Sequence, residues 1–400
     1  MKSPRPWSAY GIQGPQTGQV KTVYLDYNAT TPVDPEVLDA MQPFLAGRYG
    51  NPSSSHVMGR EAADAVRQAR SQLANLLHCQ EDELVFTSGG TESSNLAIQG
   101  VVPPRRDKDP AHLIISAIEH PATVEPVRSL VRQGHSVTVV GCDHQGVVDA
   151  QDVAEAIKPN TRLVSIMHAN NEVGTVQSIR SIADVCQDGG ILLHVDAAQS
   201  VGKIPVDVNA LGADLLTVAG HKIYAPKGVG ALYIKQGIKL EPLILGANQE
   251  RGLSPGTENV SQIVALGIAA GLAQNQLEAG AERIGRLRNV VEQAFKLASD
   301  NRITINAEEV DRLPNTSSLN FPDVAATQLL AAVPQICAST GAACHSNRTH
   351  ISATLAAMGI SEGVARGTVR LSLGRYTTKE QVVYASNQML AAWQQLSGNC

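Results

Sequence analysis

The chain has 400 residues, 43% of them hydrophobic and 17% charged, with a formal net charge of −5. That balance suits a globular protein of two or three domains and, with no basic block, argues against a nucleic-acid or anionic-membrane partner. No uninterrupted apolar stretch reaches the roughly 18 residues that a membrane helix needs.

Residues 1–20 are rich in Pro, Gly and Gln and lack a hydrophobic stretch, which predicts a loose N-terminal arm rather than a secretory signal. The six cysteines, Cys79, Cys142, Cys186, Cys337, Cys344 and Cys400, show no CxxC spacing. Their scatter argues against a zinc site or a disulfide framework and for a reducing compartment, the cytoplasm.

From residue 23 to 234, apolar strand-like runs alternate with helix-length segments. The runs are 84–86, 113–116, 137–140, 163–167, 191–195, 214–218 and 230–234, and helical segments include 60–77, 122–133 and 179–188. This order predicts an α/β fold with a mainly parallel sheet covered by helices. Residues 246–259 form a long loop without periodicity, which favours a functional loop over a spacer. A long helix at 261–299 follows. The expected organisation is a large domain over 21–265 and a smaller α+β domain over 266–400 carrying a polar loop around Cys344.

Polar residues cluster just after several strands, the edge at which open α/β sheets bind ligands. After the first run, Thr87-Ser88-Gly89-Gly90-Thr91-Glu92 opens a helix. Small residues and a helix N-terminus can cradle a phosphate, although an ordinary helix start carries similar residues. His120 ends the next strand, where a ring can stack on a planar ligand and move protons. Asn170-Asn171-Glu172-Val173-Gly174 is either a plain turn or a source of amide donors, with Asn171 the preferred one.

Asp196 and Gln199 follow the 191–195 strand, and Lys222 stands 26 residues beyond Asp196 in Gly220-His221-Lys222. A lysine that can form a Schiff base, paired with a carboxylate that can keep a pyridine nitrogen protonated, is the set that pyridoxal phosphate requires. By comparison, Lys203 and Lys227 read as surface residues. Cys344 lies between small residues and a polar run, a setting in which a thiol can exchange between a site and solvent. In Val369-Arg370-Leu371-Ser372-Leu373-Gly374-Arg375, an inward arginine can clamp a carboxylate, and alternation alone leaves Arg370 and Arg375 both open.

Taken together, these motifs resemble the class V aminotransferase superfamily, specifically cysteine desulfurases of the NifS/IscS type and the related selenocysteine lyases. The likeness runs from Tyr24-Leu25-Asp26-Tyr27-Asn28-Ala29-Thr30-Thr31-Pro32 almost to the C-terminus and includes Gly50-Asn51-Pro52-Ser53-Ser54, His194-Val195-Asp196-Ala197-Ala198-Gln199 and Pro255-Gly256-Thr257-Glu258-Asn259. It implies a pyridoxal-phosphate enzyme of fold type I, a homodimer, that converts L-cysteine to L-alanine and passes sulfur to Cys344 as a persulfide for a sulfur-acceptor protein.

Residue by residue, the resemblance gives Lys222 the Schiff base and the α-proton, and His120 the ring stacking and acid/base work. It gives Asp196 the pyridine nitrogen and Gln199 the phenolic oxygen. Gly90, Thr91 and His221 would hold the phosphate with Thr257 of a second subunit, while Asn171 and Arg370 would bind the substrate carboxylate. Three places depart from the pattern: Ala219 stands where many members carry serine, Ser254 where they carry arginine, and Gly246-Ala247-Asn248 where they carry Gly-Gly-Gly. The alternatives are a selenocysteine lyase acting on L-selenocysteine, a C–S lyase releasing pyruvate, and a sulfur-relay protein that binds pyridoxal phosphate with little turnover.

Overall fold

The computed structural model describes residues 22–102, 110–345 and 348–398, with the backbone alone for 342–345 and 348–350. In chain order, the short strand β1 (Val23–Tyr24) precedes helices α1 (Pro35–Ala46) and α2 (Val57–Leu77). Then come β2 (Leu84–Thr87), α3 (Gly90–Val101), β3 (His112–Ser116), α4 (Pro121–Arg132), β4 (Ser136–Val140) and α5 (Ala150–Ala156). They are followed by β5 (Thr161–Met167), α6 (Ile179–Asp188), β6 (Leu192–Asp196), α7 (Val208–Leu211), β7 (Leu215–Ala219) and β8 (Gly230–Ile234).

Among the described residues these strands form a seven-stranded sheet in the order β2-β8-β7-β6-β5-β3-β4. Neighbours from β7 to β4 are parallel, and β8 runs antiparallel to both β7 and β2. Every residue of β2, β3, β7 and β8 is buried, as a sheet covered on both faces demands. The C-terminal ends of β3, β5, β6 and β7 therefore point to one rim, and β2, antiparallel to β8, ends at that rim too. Gly230 lets the chain close there: a Cβ on it would lie 2.7 Å from Gly89 Cα and 2.6 Å from Val218 O.

The helix α8 (Val260–Ala298) is 39 residues long and joins two separate hydrophobic cores. Its first half buries Ile263, Leu266 and Ala270 in the core under the large sheet, against α1 and α2. Its second half buries Leu287, Val291 and Phe295 in another core with Val23, Leu25, Phe321 and Trp393. There Phe295 and Phe321 meet edge to face at 5.3 Å. Burying each of these large side chains stabilises the fold by about 2–3 kcal/mol.

The second core lies against a small antiparallel sheet made of β9 (Thr304–Ile305), β10 (Thr316–Asn320), β12 (Ser339–Thr340) and β15 (Thr368–Ser372). Before β12, β11 (Ile336–Cys337) pairs in parallel with β1. After it, β13 (Ala342–His345) and β14 (Arg348–Ile351) form a hairpin. No helix among the described residues is long and apolar enough to cross a membrane.

Candidate active site

A cavity of about 390 Å³ opens where the strand ends of the large sheet face β15. Gly90, Thr91, His120, Asn171, Asp196, Gln199, His221, Lys222 and Arg370 all line it, together with Asn28, Ala29, Met167 and Ala219. Residues separated by hundreds of positions are thus brought to one place by the parallel crossovers.

The cavity's glycine-rich corner is the start of α3. Gly89, at φ +147°, turns the chain in a conformation that side chains rarely adopt, and Gly90 begins the helix. A Cβ on Gly90 would stand 3.2 Å from the Ala219 Cβ, so the two small residues keep this corner open. Glu92 reaches back to accept from Ser88 N–H at 2.7 Å and takes a second hydrogen bond from the Ser254 hydroxyl at 2.9 Å. Ser254 therefore ties the late loop to the cradle.

His120 is the N-cap of α4, and its Nδ1 accepts from Ala122 N–H at 3.1 Å. An imidazole that accepts through Nδ1 carries its single proton on Nε2. Desolvation lowers its pKa, opposed by the neighbouring Asp196 carboxylate. Asp196, the last residue of β6, is 7% exposed. Burial raises its pKa, while Ala198 N–H (2.9 Å to Oδ1), His120 and Lys222 pull it down.

Behind them sits Glu119, buried, with Oε1 accepting from Ser116 Oγ at 2.5 Å and Met167 N–H at 3.0 Å and Oε2 without a partner among the described residues. Burial, reinforced by Asp196, pushes its carboxyl up to about 8.

Lys222 Nζ donates to the main-chain oxygens of Asn28 (2.5 Å) and Ala29 (2.8 Å). Burial and the Arg370 charge lower its pKa to about 8, so the neutral amine is far better populated near physiological pH than that of an ordinary lysine. His221 Nδ1 bonds Thr30 Oγ1 at 3.1 Å, and burial with the nearby lysines lowers its pKa to about 4.

Alternation left two arginines open, and the structure separates them. Arg370 lines this cavity, whereas Arg375 pairs with Asp34 at 2.6 Å, lies 4.4 Å from the Tyr224 ring centre and lines a different cavity. Arg370 donates to Asn171 O (2.9 Å), Asp26 Oδ1 (2.7 Å) and Ser339 Oγ (2.9 Å), and its buried Nε has no partner among the described residues. The two asparagines separate as well. Asn170 spends its side chain on the turn, accepting from Glu172 and Val173 N–H, and Asn171 is the one on the cavity.

Thr257 is exposed on its loop and is not part of this cavity. Cys344 has its backbone on β13, opposite Thr349, and its side chain lies outside the described residues, as does Cys400.

Sequence reasoning missed Asn28 and misplaced Lys203. Asn28 is 1% exposed and its carbonyl, amide oxygen and amide nitrogen bind Lys222, Gln199, Lys203, Asn171, Asn315 and Thr316. Lys203 is not a free surface residue: its Nζ donates to Gln199 Oε1 (2.7 Å) and Asn28 Oδ1 (3.0 Å). The signal for it was the i, i+4 spacing of Gln199 and Lys203, which places two side chains together on a helical turn.

The comparisons with known proteins agree with this geometry. Residues 23–384 match the model of the family described as aminotransferase class-V. Cysteine desulfurase IscS of Dictyoglomus turgidum is 42% identical over 367 residues, covering 91% of this chain and 92% of the relative. A solved NifS-like protein superposes with a TM-score of 0.87 at 36% identity, over 94% of this chain and all of that one. The solved structure of SspA in complex with cysteine has a TM-score of 0.78 at 37% identity, over 89% of this chain and all of that one. The chain belongs to the class-V aminotransferase family of pyridoxal-phosphate-dependent enzymes, with the fold of its NifS-like members.

Proposed function

We propose that this enzyme is a cysteine desulfurase, converting L-cysteine to L-alanine and taking the sulfur onto Cys344 as a persulfide. The observation that carries the reading is one cavity holding a depressed-pKa lysine, a buried carboxylate and a buried arginine nitrogen that has no partner among the described residues. Relatives named cysteine desulfurase and a neighbour solved with cysteine support the substrate.

The residues fit the cofactor. A buried Asp196 is suited to a cationic ring nitrogen, the open Gly90–Ala219 corner at a helix start to a phosphate, and the Lys222 amine to a carbonyl carbon. When bound, pyridoxal phosphate withdraws electrons from the substrate Cα and makes its proton acidic. In this proposal Thr91 and His221 hold the phosphate, and Gln199 donates to the phenolic oxygen. Lys222 moves the α-proton, and His120 packs on the ring with its Nε2 proton available for transfer. Arg370 and Asn171 orient the substrate carboxylate.

Cys344 supplies the nucleophile. Its sulfur forms an S–S bond as the substrate C–S bond breaks; the bonding pair stays on carbon, which takes a proton to become the methyl group of alanine. A sulfur-acceptor protein then removes the persulfide sulfur. The free thiols of Cys79, Cys142, Cys186 and Cys337 support a reducing compartment, the cytoplasm.

The proposal includes a homodimer to which Thr257 contributes across the interface. Leu243, Ile244 and Leu245, 39%, 59% and 85% exposed just ahead of the Thr257 loop, support it as an apolar surface that a second copy covers. A monomeric mass by analytical ultracentrifugation would remove that part.

The test incubates the pyridoxal-phosphate-loaded enzyme with L-cysteine and a reductant and quantifies alanine and sulfide, beside Cys344→Ala. Equal alanine and sulfide from the wild type and none from the variant is the expected result. Pyruvate instead of alanine, or turnover that survives in Cys344→Ala, sinks it.

A further inference from the structure

Gln199 belongs to the residues assigned above to the cofactor, but an amide can offer either a donor or an acceptor to the cavity, and something must choose. Two neighbours make the choice. Lys203 Nζ donates to Asn28 Oδ1 at 3.0 Å and to one terminal atom of the Gln199 amide at 2.7 Å, so that atom is oxygen. The Asn28 carbonyl, which can only accept, stands 3.0 Å from the other, so that atom is nitrogen. The amide nitrogen has a second hydrogen, and Gln199 lines the cavity.

Lys203 has no other evident work. Among the described residues no carboxylate pairs with its amine; its hydrogens go to Gln199 Oε1 and to Asn28 Oδ1 at 3.0 Å, an oxygen that Asn315 Nδ2 also holds at 2.9 Å. Burial, with Lys222 and Arg370 nearby, holds its pKa well below the usual lysine value. A half-buried amine bonded among the described residues only to amide oxygens is costly to keep, and here it keeps one amide turned a single way.

We infer that Lys203 is a positioning residue that fixes the Gln199 amide with its N–H toward the cofactor's phenolic oxygen. The inference rests on the proposed cofactor reading. It predicts a spectroscopic effect: a donor at that oxygen stabilises its anionic form, so the pH midpoint of the lysine-bound cofactor's visible absorption is kept low. Without Lys203 only the Asn28 carbonyl holds the amide, its oxygen loses its partner, the N–H is held less firmly toward the cavity, and the midpoint rises.

The experiment is a pH titration of visible absorption on the pyridoxal-phosphate-loaded wild type, Lys203→Met, Lys203→Arg, Gln199→Leu and the Lys203→Met/Gln199→Leu double variant. Lys203→Met and Gln199→Leu are each expected to raise the midpoint by roughly one pH unit, the size of one lost charge-assisted hydrogen bond. Because Lys203 acts through Gln199, the double variant shifts no further than Gln199→Leu. Lys203→Arg, which keeps a donor, stays at the wild-type midpoint.

A wild-type midpoint in Lys203→Met, or a double variant that shows the sum of the single shifts, overturns the inference. Should Lys203→Met not fold, Lys203→Ala takes its place under the same criteria. If neither folds while Lys203→Arg does, Lys203 serves folding rather than Gln199 and the inference falls. A wild type that takes up pyridoxal phosphate without any visible lysine-bound band would instead defeat the cofactor reading itself.

Discussion

Arg370 and Asp26 form an ion pair of 2.7 Å, with side chains only 11% and 19% exposed, at the wall of the cavity. The pair holds the guanidinium still before a substrate arrives, with Nη1 committed to Asn171 O and Nε left over among the described residues. Lysine at this position has a single point charge and cannot reproduce that fork. Arg370→Lys is expected to raise KM for L-cysteine about 10- to 100-fold, the range of one lost charged hydrogen bond, while cofactor uptake stays near wild type. Steady-state kinetics beside a cofactor-binding titration check it; an unchanged KM would remove Arg370 from substrate recognition.

The amine of Lys222 must be neutral to attack a carbonyl, and its pKa is lowered to about 8. The rate at which the cofactor-free protein takes up pyridoxal phosphate should therefore rise with pH, close to tenfold per unit below pH 8, and level off above it. A lysine left at its ordinary value would keep rising past pH 10. Stopped-flow absorbance on the cofactor-free protein distinguishes the two profiles.

His120 has two separable jobs, capping α4 through Nδ1 and facing the cavity with the rest of its ring. Asparagine is a good N-cap but no imidazole. His120→Asn should keep a melting temperature within a few degrees of wild type while lowering kcat by about 100-fold or more, the scale of a lost acid/base group. Equal losses in His120→Asn and His120→Ala, with stability preserved in the first only, would confirm that the two roles are independent.

Glu119 tests linkage between burial and stability. Its folded pKa of about 8 lies above the ordinary carboxyl value of 4.5, so between those pH values the folded chain binds a proton that the unfolded chain has released. The stability this adds is complete below pH 4.5 and is lost as pH rises to 8. Glu119→Gln does not titrate, so from pH 5 to pH 8 the variant should gain on the wild type by roughly 1 kcal/mol per pH unit. Urea unfolding of both proteins across that range measures the difference; a constant gap would mean that Glu119 is ionised throughout.

The strand ends and their polar followers were legible because a covered parallel sheet writes continuous apolar runs with turn residues after each. The runs at 163–167 and 230–234 fall on β5 and β8, and the run at 191–195 falls one residue short of β6 at its C-terminal end. The reversal of β8 was not legible: nothing in a buried run tells its direction, which is set by the short return from Lys222 to Gly230. Asn28 stayed hidden because its partners lie 143 to 344 residues away, at Asn171 and Ser372. Lys203 was misread because a lysine in a polar turn looks solvated until the segment carrying Asn28 is folded over it.

The long helix α8 carries a mechanical consequence. At 1.5 Å per residue its 39 residues make a rod of about 58 Å, anchored at one end under the large sheet and at the other beside Phe321. Melting either core frees half of this rod and strips the other core of side chains it needs. Heat should then take the chain apart in one calorimetric step rather than two, and a glycine pair placed mid-rod is the change that would uncouple them.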